Sequence, residues 1–150
     1  MATTVEKAQL KILIQETVTL NGTEKGGKQT HTINSIKHVD ERILSVPTYE
    51  TAILHLSGAS GAGTYQTSKV KYIRMTNLDD SNFVRLSFIS GSDGSRFDVK
   101  LDPKRSMVFT NASISGTSAG VSFGEFANFT KVNATSDTSS CDVSLFVATT

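Results

Sequence analysis

The sequence predicts an all-β fold: a single-domain, jelly-roll-like β-sandwich of about eight to ten short antiparallel strands. Apolar residues recur at every second position, in runs separated by clusters of glycine, asparagine, aspartate, serine and proline. No window sustains the apolar i, i+3, i+4, i+7 spacing of a helix. A chain of 150 residues, with 37% hydrophobic and 19% charged residues, is the size of one domain with its own core.

The central part of the prediction is residues 70–111, which have the pattern of four strands joined by three tight connections. One connection contains Asp93-Gly94, a hairpin signal because both residues tolerate the positive φ of a type I′ turn. The other two are residues 77–82 and 102–105. The residues that share the apolar face of the middle hairpin are Val84, Leu86, Phe88, Phe97, Val99 and Leu101. We expect a β-meander whose apolar face is covered by the rest of the chain.

The remaining chain supplies an arm, more strands and two soft loops. Residues 1–9 are predicted to be a flexible N-terminal arm, and residues 10–150 the β-sandwich domain. Further strands are expected at residues 10–20, 29–39, 43–46, 51–57, 125–133 and 141–147. The second of these is polar and suits a sheet edge. The loops, residues 58–64 and 113–124, are rich in glycine, alanine and serine.

The central stretch also resembles a known class of proteins. It contains Thr76-Asn77-Leu78-Asp79 at the end of a strand, then Asn82-Phe83-Val84, and then an amphipathic hairpin that includes Phe97-Asp98-Val99-Lys100-Leu101. This run resembles a segment of small tailed-phage virion proteins with a jelly-roll-like β-sandwich, which serve as capsid decoration, cement or tail- and neck-associated subunits. The resemblance implies an architecture and a structural role, and it implies no functional residue.

The residue types that carry catalysis and metal binding do not form a recognisable motif. His31, His38 and His55 are scattered, without the His-x-His strand pair of a metal-binding jelly roll. Residues 79–82 are acidic but lack the alternating aspartates of a calcium loop, so turn chemistry is the better interpretation. Cys141 alternates with apolar residues, as a buried thiol would.

No serine lies in a Gly-x-Ser-x-Gly turn, and the glycine-rich loop at residues 58–64 has no P-loop lysine. We therefore predict a protein that is not an enzyme and needs no cofactor or metal.

Charge and hydropathy argue against two other classes of partner. The net charge of +1 gives no basic field for nucleic acid. No apolar run approaches the ~18 residues that a membrane span needs, and the N-terminus lacks the apolar centre of a signal peptide. We expect a chain made in the host cytoplasm that binds neither nucleic acid nor membrane.

The outward face of the central stretch is a candidate protein contact. Its basic side chains, interleaved with Asp98 and Asp102, are Arg85, Arg96, Lys100, Lys104 and Arg105. They form either a solvated sheet face or a docking surface for an acidic protein partner. Tyr49 and Tyr65 lie in predicted loops, so a small sugar-binding platform is the other binding hypothesis.

Apolar residues also occur on the predicted outer faces, where another subunit could cover them: Leu13, Ile36, Ile89, Val108 and Phe146. With the resemblance, they favour a phage virion structural protein. We expect a capsid decoration or cement protein that forms a homo-oligomer, with a trimer favoured, and binds the major capsid protein or other virion proteins. The alternatives are a tail or neck component, and then a lectin-like receptor-binding module.

The absence of a metal motif makes a testable prediction. Treatment with a chelator should leave the thermal unfolding midpoint unchanged, because the aspartates are assigned to turns. A fall of several degrees in that midpoint, measured by differential scanning calorimetry, would show that the aspartate turns hold a structural cation.

Overall fold

The chain folds as a single all-β domain with several antiparallel sheets. The computed structural model describes residues 4–59, 61–91, 94–110 and 129–150. Within them lie thirteen strands: β1 Ala8–Gln15, β2 Val18–Leu20, β3 Thr23–Lys25, β4 Lys28–Ile36, β5 His38–Val46, β6 Thr51–Ser57, β7 Tyr65–Gln66, β8 Val70–Asn77, β9 Val84–Ser90, β10 Arg96–Leu101, β11 Ser106–Thr110, β12 Phe129–Ser136 and β13 Cys141–Thr149. The helical structure of these residues is one 3-10 turn, Thr67–Lys69, and none of it could span a membrane.

Two large sheets enclose the main core. A four-stranded sheet has the order β11-β8-β13-β5, and a five-stranded sheet has the order β10-β9-β12-β6-β7. The pairs are antiparallel except for β6 and β7, which are parallel, so the prediction of antiparallel strands fails at that pair. The buried side chains of both sheets form one cluster, among them Met75 and Leu145 from one sheet and Leu86 and Phe88 from the other. The arrangement is sandwich-like.

The alternating pattern of the central stretch correctly predicts which face is buried. Val84, Leu86 and Phe88 of β9 are fully buried. In β10, Leu101 is buried and Phe97 stacks on Phe88, with ring centroids 4.7 Å apart. Asp93 of the predicted hairpin turn lies outside the described residues, and so does the predicted loop at residues 113–124.

The prediction that residues 70–111 form one meander is wrong. β9 and β10 pair with each other in the five-stranded sheet, whereas β8 and β11 pair with each other in the four-stranded sheet. The two turns at residues 78–83 and 102–105 therefore carry the chain across the sandwich. Each strand keeps a period of two wherever it pairs, so the sequence pattern cannot tell a meander from this crossing.

Asn77 ties these two crossings together from within the core. Its side chain is fully buried at the end of β8. The Nδ2 group donates to the carbonyls of Asn82, at 2.9 Å, and Leu101, at 3.1 Å, and Oδ1 accepts the N–H of Asp79 at 3.0 Å. The Asn77 N–H donates to the carbonyl of Arg105 at 3.0 Å. One residue thus satisfies backbone groups of both crossings.

A long N-terminal hairpin lies outside the two large sheets. β1 pairs with β4 from Gln15 opposite Lys28 to Ala8 opposite Ile36, and β2 pairs with β3 beyond them. Ala8 and Gln9 thus belong to β1, although the arm was expected to extend through residue 9. This hairpin and β7 also explain why the strands outnumber the eight to ten predicted.

The hydrogen bonds of Asn77 make a testable prediction. Asn77→Ala should lower the free energy of unfolding by about 1–3 kcal/mol, because it removes three hydrogen bonds to buried or part-buried backbone groups of the two crossings. Chemical denaturation measures this difference. Asn34→Ala, which removes an exposed side chain of the hairpin, is the control and should change stability by less than about 0.5 kcal/mol. Equal effects of the two variants would contradict the role given to Asn77.

Candidate interaction surface

The base of the hairpin packs on the outer face of the four-stranded sheet. Ile33 and Ile36 of β4 are buried there with Tyr72 of β8 and Ala148 of β13, forming a second core. Leu10, Ile12 and Phe146 are half-buried against the same cluster. The rings of Tyr72 and Phe146 meet edge to face, with centroids 5.6 Å apart. Because of this packing, the hairpin is held to the domain at its base.

The apolar face of the hairpin continues beyond this anchor. Leu10, Ile12 and Ile14 alternate along β1, and Val18 and Leu20 continue the pattern along β2. Ile14 is 42% exposed, Val18 55% and Leu20 60%. Every residue from Leu13 to Thr32 is exposed, so this part of the hairpin has no cover from its own domain. We call Ile14, Val18 and Leu20 the distal stripe.

The two strands approach closely where β1 gives way to β2. The Glu16 N–H donates to the Gly27 carbonyl at 2.9 Å. Gly26 has φ +122°, and a Cβ there would lie 2.2 Å from the Glu16 carbonyl oxygen. Only glycine fits this position without a shift of the backbone. Glu16 lies between Ile14 and Val18 and interrupts the apolar stripe with a charge.

A second exposed apolar surface lies on β5, at the edge of the four-stranded sheet. Val39 is 55% exposed and Ile43 66%, and the alternation of the strand puts both on the sheet's outer face. Glu41 lies between them and pairs with Arg74 at 3.6 Å. The Arg74 guanidinium in turn lies 5.3 Å from the centre of the Phe146 ring. We call Val39, Glu41 and Ile43 the β5 patch.

The predicted basic contact surface is neutralised by its own neighbours at four of its five residues. Arg96 pairs with Glu50 and Asp98, both at 3.2 Å, and Asp98 also lies 4.0 Å from Arg85. The remaining two pairs are Lys100 with Asp102, at 3.0 Å, and Lys104 with Asp80, at 2.6 Å. The side chain of Arg105 is exposed. The surface is a mixed ionic face, and its role in binding a partner stays a prediction.

Glu50 joins this ionic face to the buried part of the five-stranded sheet. Its Oε1 accepts a hydrogen bond from Asn133 Nδ2 at 2.5 Å, and its Oε2 lies 3.2 Å from the Arg96 guanidinium. The hydrogen bond from Asn133, and then that from Arg96, lower the pKa of Glu50 below its usual value. The loop ahead of β6 is therefore held to β10 and β12 by one carboxylate.

The residues considered for chemistry have structural surroundings. Asp79 Oδ1 accepts the N–H groups of Ser81, at 2.8 Å, and Asn82, at 2.6 Å, and these bonds lower the pKa of Asp79. This is the turn chemistry predicted for residues 79–82. Cys141 is buried, burial raises the pKa of its thiol, and its sulfur lies 2.8 Å from Ser136 Oγ.

The three histidines lie on β4, at the start of β5 and on β6, and all are exposed: His31, His38 and His55. Among the described residues, no group of three or more histidine, cysteine or acidic side chains could hold a metal ion.

The two tyrosines considered for sugar binding differ in their surroundings. Tyr49 is exposed, whereas Tyr65 is half-buried and its hydroxyl donates to Asp40. Burial, together with this hydrogen bond, raises the pKa of Tyr65 to about 12. The hydroxyl of Tyr65 is thus engaged within the domain, and sugar binding by these two residues stays a prediction.

The outward apolar residues singled out from the sequence fall into two groups. Ile36 and Phe146 are covered by the hairpin or pack against it, so the expectation that another subunit covers them is wrong. Leu13 and Val108 are exposed, and Ile89 is half-buried.

The sequence does not predict the distal stripe, because a single strand over residues 10–20 with one apolar face does not show where its cover from the domain ends. The polar partner strand at residues 29–39 was the available signal, since such a strand brings little apolar surface to a core.

Comparison with known proteins identifies no family for this chain. No protein-family model matches it, and no curated protein matches it. Among solved structures, it is similar to a chain from the Bacillus endospore appendages, described as a novel family of disulfide-linked pili. That similarity covers 100% of this chain and 96% of the other, with 11% sequence identity and a TM-score of 0.43. A likeness at this level does not establish a common fold or role.

The pKa of Glu50 makes a testable prediction. Because the folded-state pKa lies below 4.5, the carboxylate contributes stability at higher pH and loses it as the pH falls through the folded value. Glu50→Gln should therefore lower the free energy of unfolding at pH 7, measured by urea denaturation, by a fraction of a kcal/mol, and the difference from wild type should disappear in acid. A difference that is the same at neutral and acid pH would contradict this assignment.

Proposed function

We propose that the protein is a virion structural subunit of a tailed phage, and specifically a capsid decoration or cement protein that binds neighbouring major-capsid subunits. The virion setting is supported by the sequence resemblance of residues 72–101. The binding role is supported by one structural observation: a hairpin anchored at its base presents an apolar stripe with no cover from its own domain.

An exposed apolar stripe is unfavourable for a chain without a partner, because its side chains stay in contact with water. Val18 and Leu20 are exposed together on one face, and a two-stranded hairpin is only marginally stable without packing. Covering these side chains with another subunit would stabilise both the hairpin and the contact. A cement protein gains from such modest contacts because the symmetry of the particle repeats them many times.

The N-terminal arm is a second element that a partner would order in this proposal. Residues 4–7 are exposed and precede β1. Residues 4–7 include only Val5 as a large apolar side chain, too little to offset an ordering entropy of about 1–2 kcal/mol per residue. The glycine-rich loop at residues 58–64 carries the same expectation, and Ser60 in it lies outside the described residues.

The copy number of the protein in purified particles tests the proposal. Quantitative mass spectrometry against the major capsid protein should give hundreds of copies for a decoration subunit. A dozen copies or fewer would indicate a tail or neck component instead. Absence from the particles would contradict a virion role, and specific binding on a glycan array would then favour the lectin-like alternative.

Deletion of the arm makes a further prediction. A variant without residues 2–7 should remain folded, because β1 begins at Ala8 and the hydrogen bond from Gln9 Nε2 to Asn34 Oδ1, at 2.8 Å, is kept. It should bind undecorated capsids more weakly than the full chain, as measured by co-sedimentation. Undiminished binding would remove the arm from the contact and leave the hairpin and the basic face as the remaining candidates.

A further inference from the structure

We propose that the distal stripe of one copy docks on the β5 patch of a second copy of this chain. The inference deepens the proposed function by naming a homotypic contact, and it rests on that function only in expecting a structural assembly. The stripe is Ile14, Val18 and Leu20, and the patch is Val39, Glu41 and Ile43.

The first argument is continuity along the hairpin. The distal stripe is the outward continuation of the face whose inner residues, Leu10 and Ile12, pack on Tyr72 and Phe146. The whole apolar face of the hairpin is therefore suited to packing on an apolar sheet face. The inner residues of the hairpin pack on such a face within their own domain, whereas the outer residues, the distal stripe, can pack on one only in another subunit.

The second argument is that the chain offers a surface of the same kind. The β5 patch lies on the same outer sheet face that the hairpin base already covers, since β5 pairs with β13 and Phe146 lies opposite Glu41 in that pairing. Val39 and Ile43 remain more than half exposed next to this covered region. The hairpin of a second copy would therefore enlarge the apolar contact that the hairpin base already makes on this sheet face.

The third argument is charge complementarity. Lys25 lies directly opposite Val18 in the β2–β3 pairing, so its side chain is on the face of the distal stripe. On the patch, Glu41 lies between Val39 and Ile43, and its side chain is 63% exposed. The stripe also carries Glu16 between Ile14 and Val18, and on the patch Arg74 lies 3.6 Å from Glu41. Each surface therefore carries one charge of each sign, and the two surfaces can meet with Lys25 beside Glu41 and Glu16 beside Arg74.

These surfaces differ from each other, so the contact is heterologous: the hairpin of one copy meets the sheet of the next. Such a contact closes into a ring when the rotation between copies allows it. A closed ring of three copies is the trimer expected from the sequence.

Self-association of the full chain, measured by sedimentation velocity from micromolar to submillimolar concentration, tests the inference. Leu20→Asn and Ile43→Asn should each weaken association about tenfold or more, because each removes an apolar side chain from the contact. The controls are Thr19→Asn, on the opposite face of β2, and Thr48→Asn, in the loop after β5. Both should stay within about twofold of wild type.

Charge reversal identifies the pairing. Lys25→Glu and Glu41→Lys should each weaken association, and the variant that carries both should recover it, because every contact again joins opposite charges. Unchanged denaturation midpoints would show that the substitutions at these exposed positions leave the fold intact.

A chain that is monomeric throughout, association that Leu20→Asn leaves unchanged, or a double charge variant that does not recover would each overturn the inference. A monomer that still decorates particles would remove this contact and leave the proposed function in place. Self-association through these residues in a protein absent from virions would support this contact and contradict the proposed function.

Discussion

The packing of the hairpin base on Tyr72 and Phe146 is the contact on which the candidate interaction surface depends. An isolated two-stranded hairpin is marginal in water, so its outer part needs an anchored inner part. Burial of aliphatic side chains such as Ile33 and Ile36 contributes about 1.5–3 kcal/mol each when they are fully covered. The anchor also sets the direction of the strands beyond it, because the register of β1 with β4 is continuous from Ile33 to Lys28.

The same contact changes how the outer face of the four-stranded sheet should be interpreted. A contiguous exposed apolar patch on the outer face of a sandwich commonly marks a subunit interface. Here Phe146 is covered by the chain's own hairpin and flanked by Arg74. Apolar side chains that remain exposed lie instead on the edge strand β5 and in the distal stripe. Both are positions where a partner can approach without displacing the hairpin base.

The sequence predicts strands and buried faces well, and it predicts how the strands are paired poorly. Period-two patterns correctly assign Leu86 and Phe88 to the core, because burial depends on the face alone. They do not show that β8 pairs with β11 across two crossings, since both pairings bury the same residues. The side chain that joins the two crossings is that of Asn77, which is buried and whose hydrogen bonds reach distant backbone groups. Nothing in a local pattern distinguishes it from an ordinary turn asparagine.

The candidate site was predictable to a similar extent. The basic residues from Arg85 to Arg105 were recognised from alternation, but their pairing with Glu50 and Asp80 depends on residues from distant strands and crossings. A face on which cations and carboxylates neutralise each other at about 3 Å has little free charge to attract an acidic partner. Exposed apolar side chains have no such internal compensation. The distal stripe and the β5 patch are therefore the stronger candidates for driving association, and the ionic face is better suited to keeping the assembled subunit soluble.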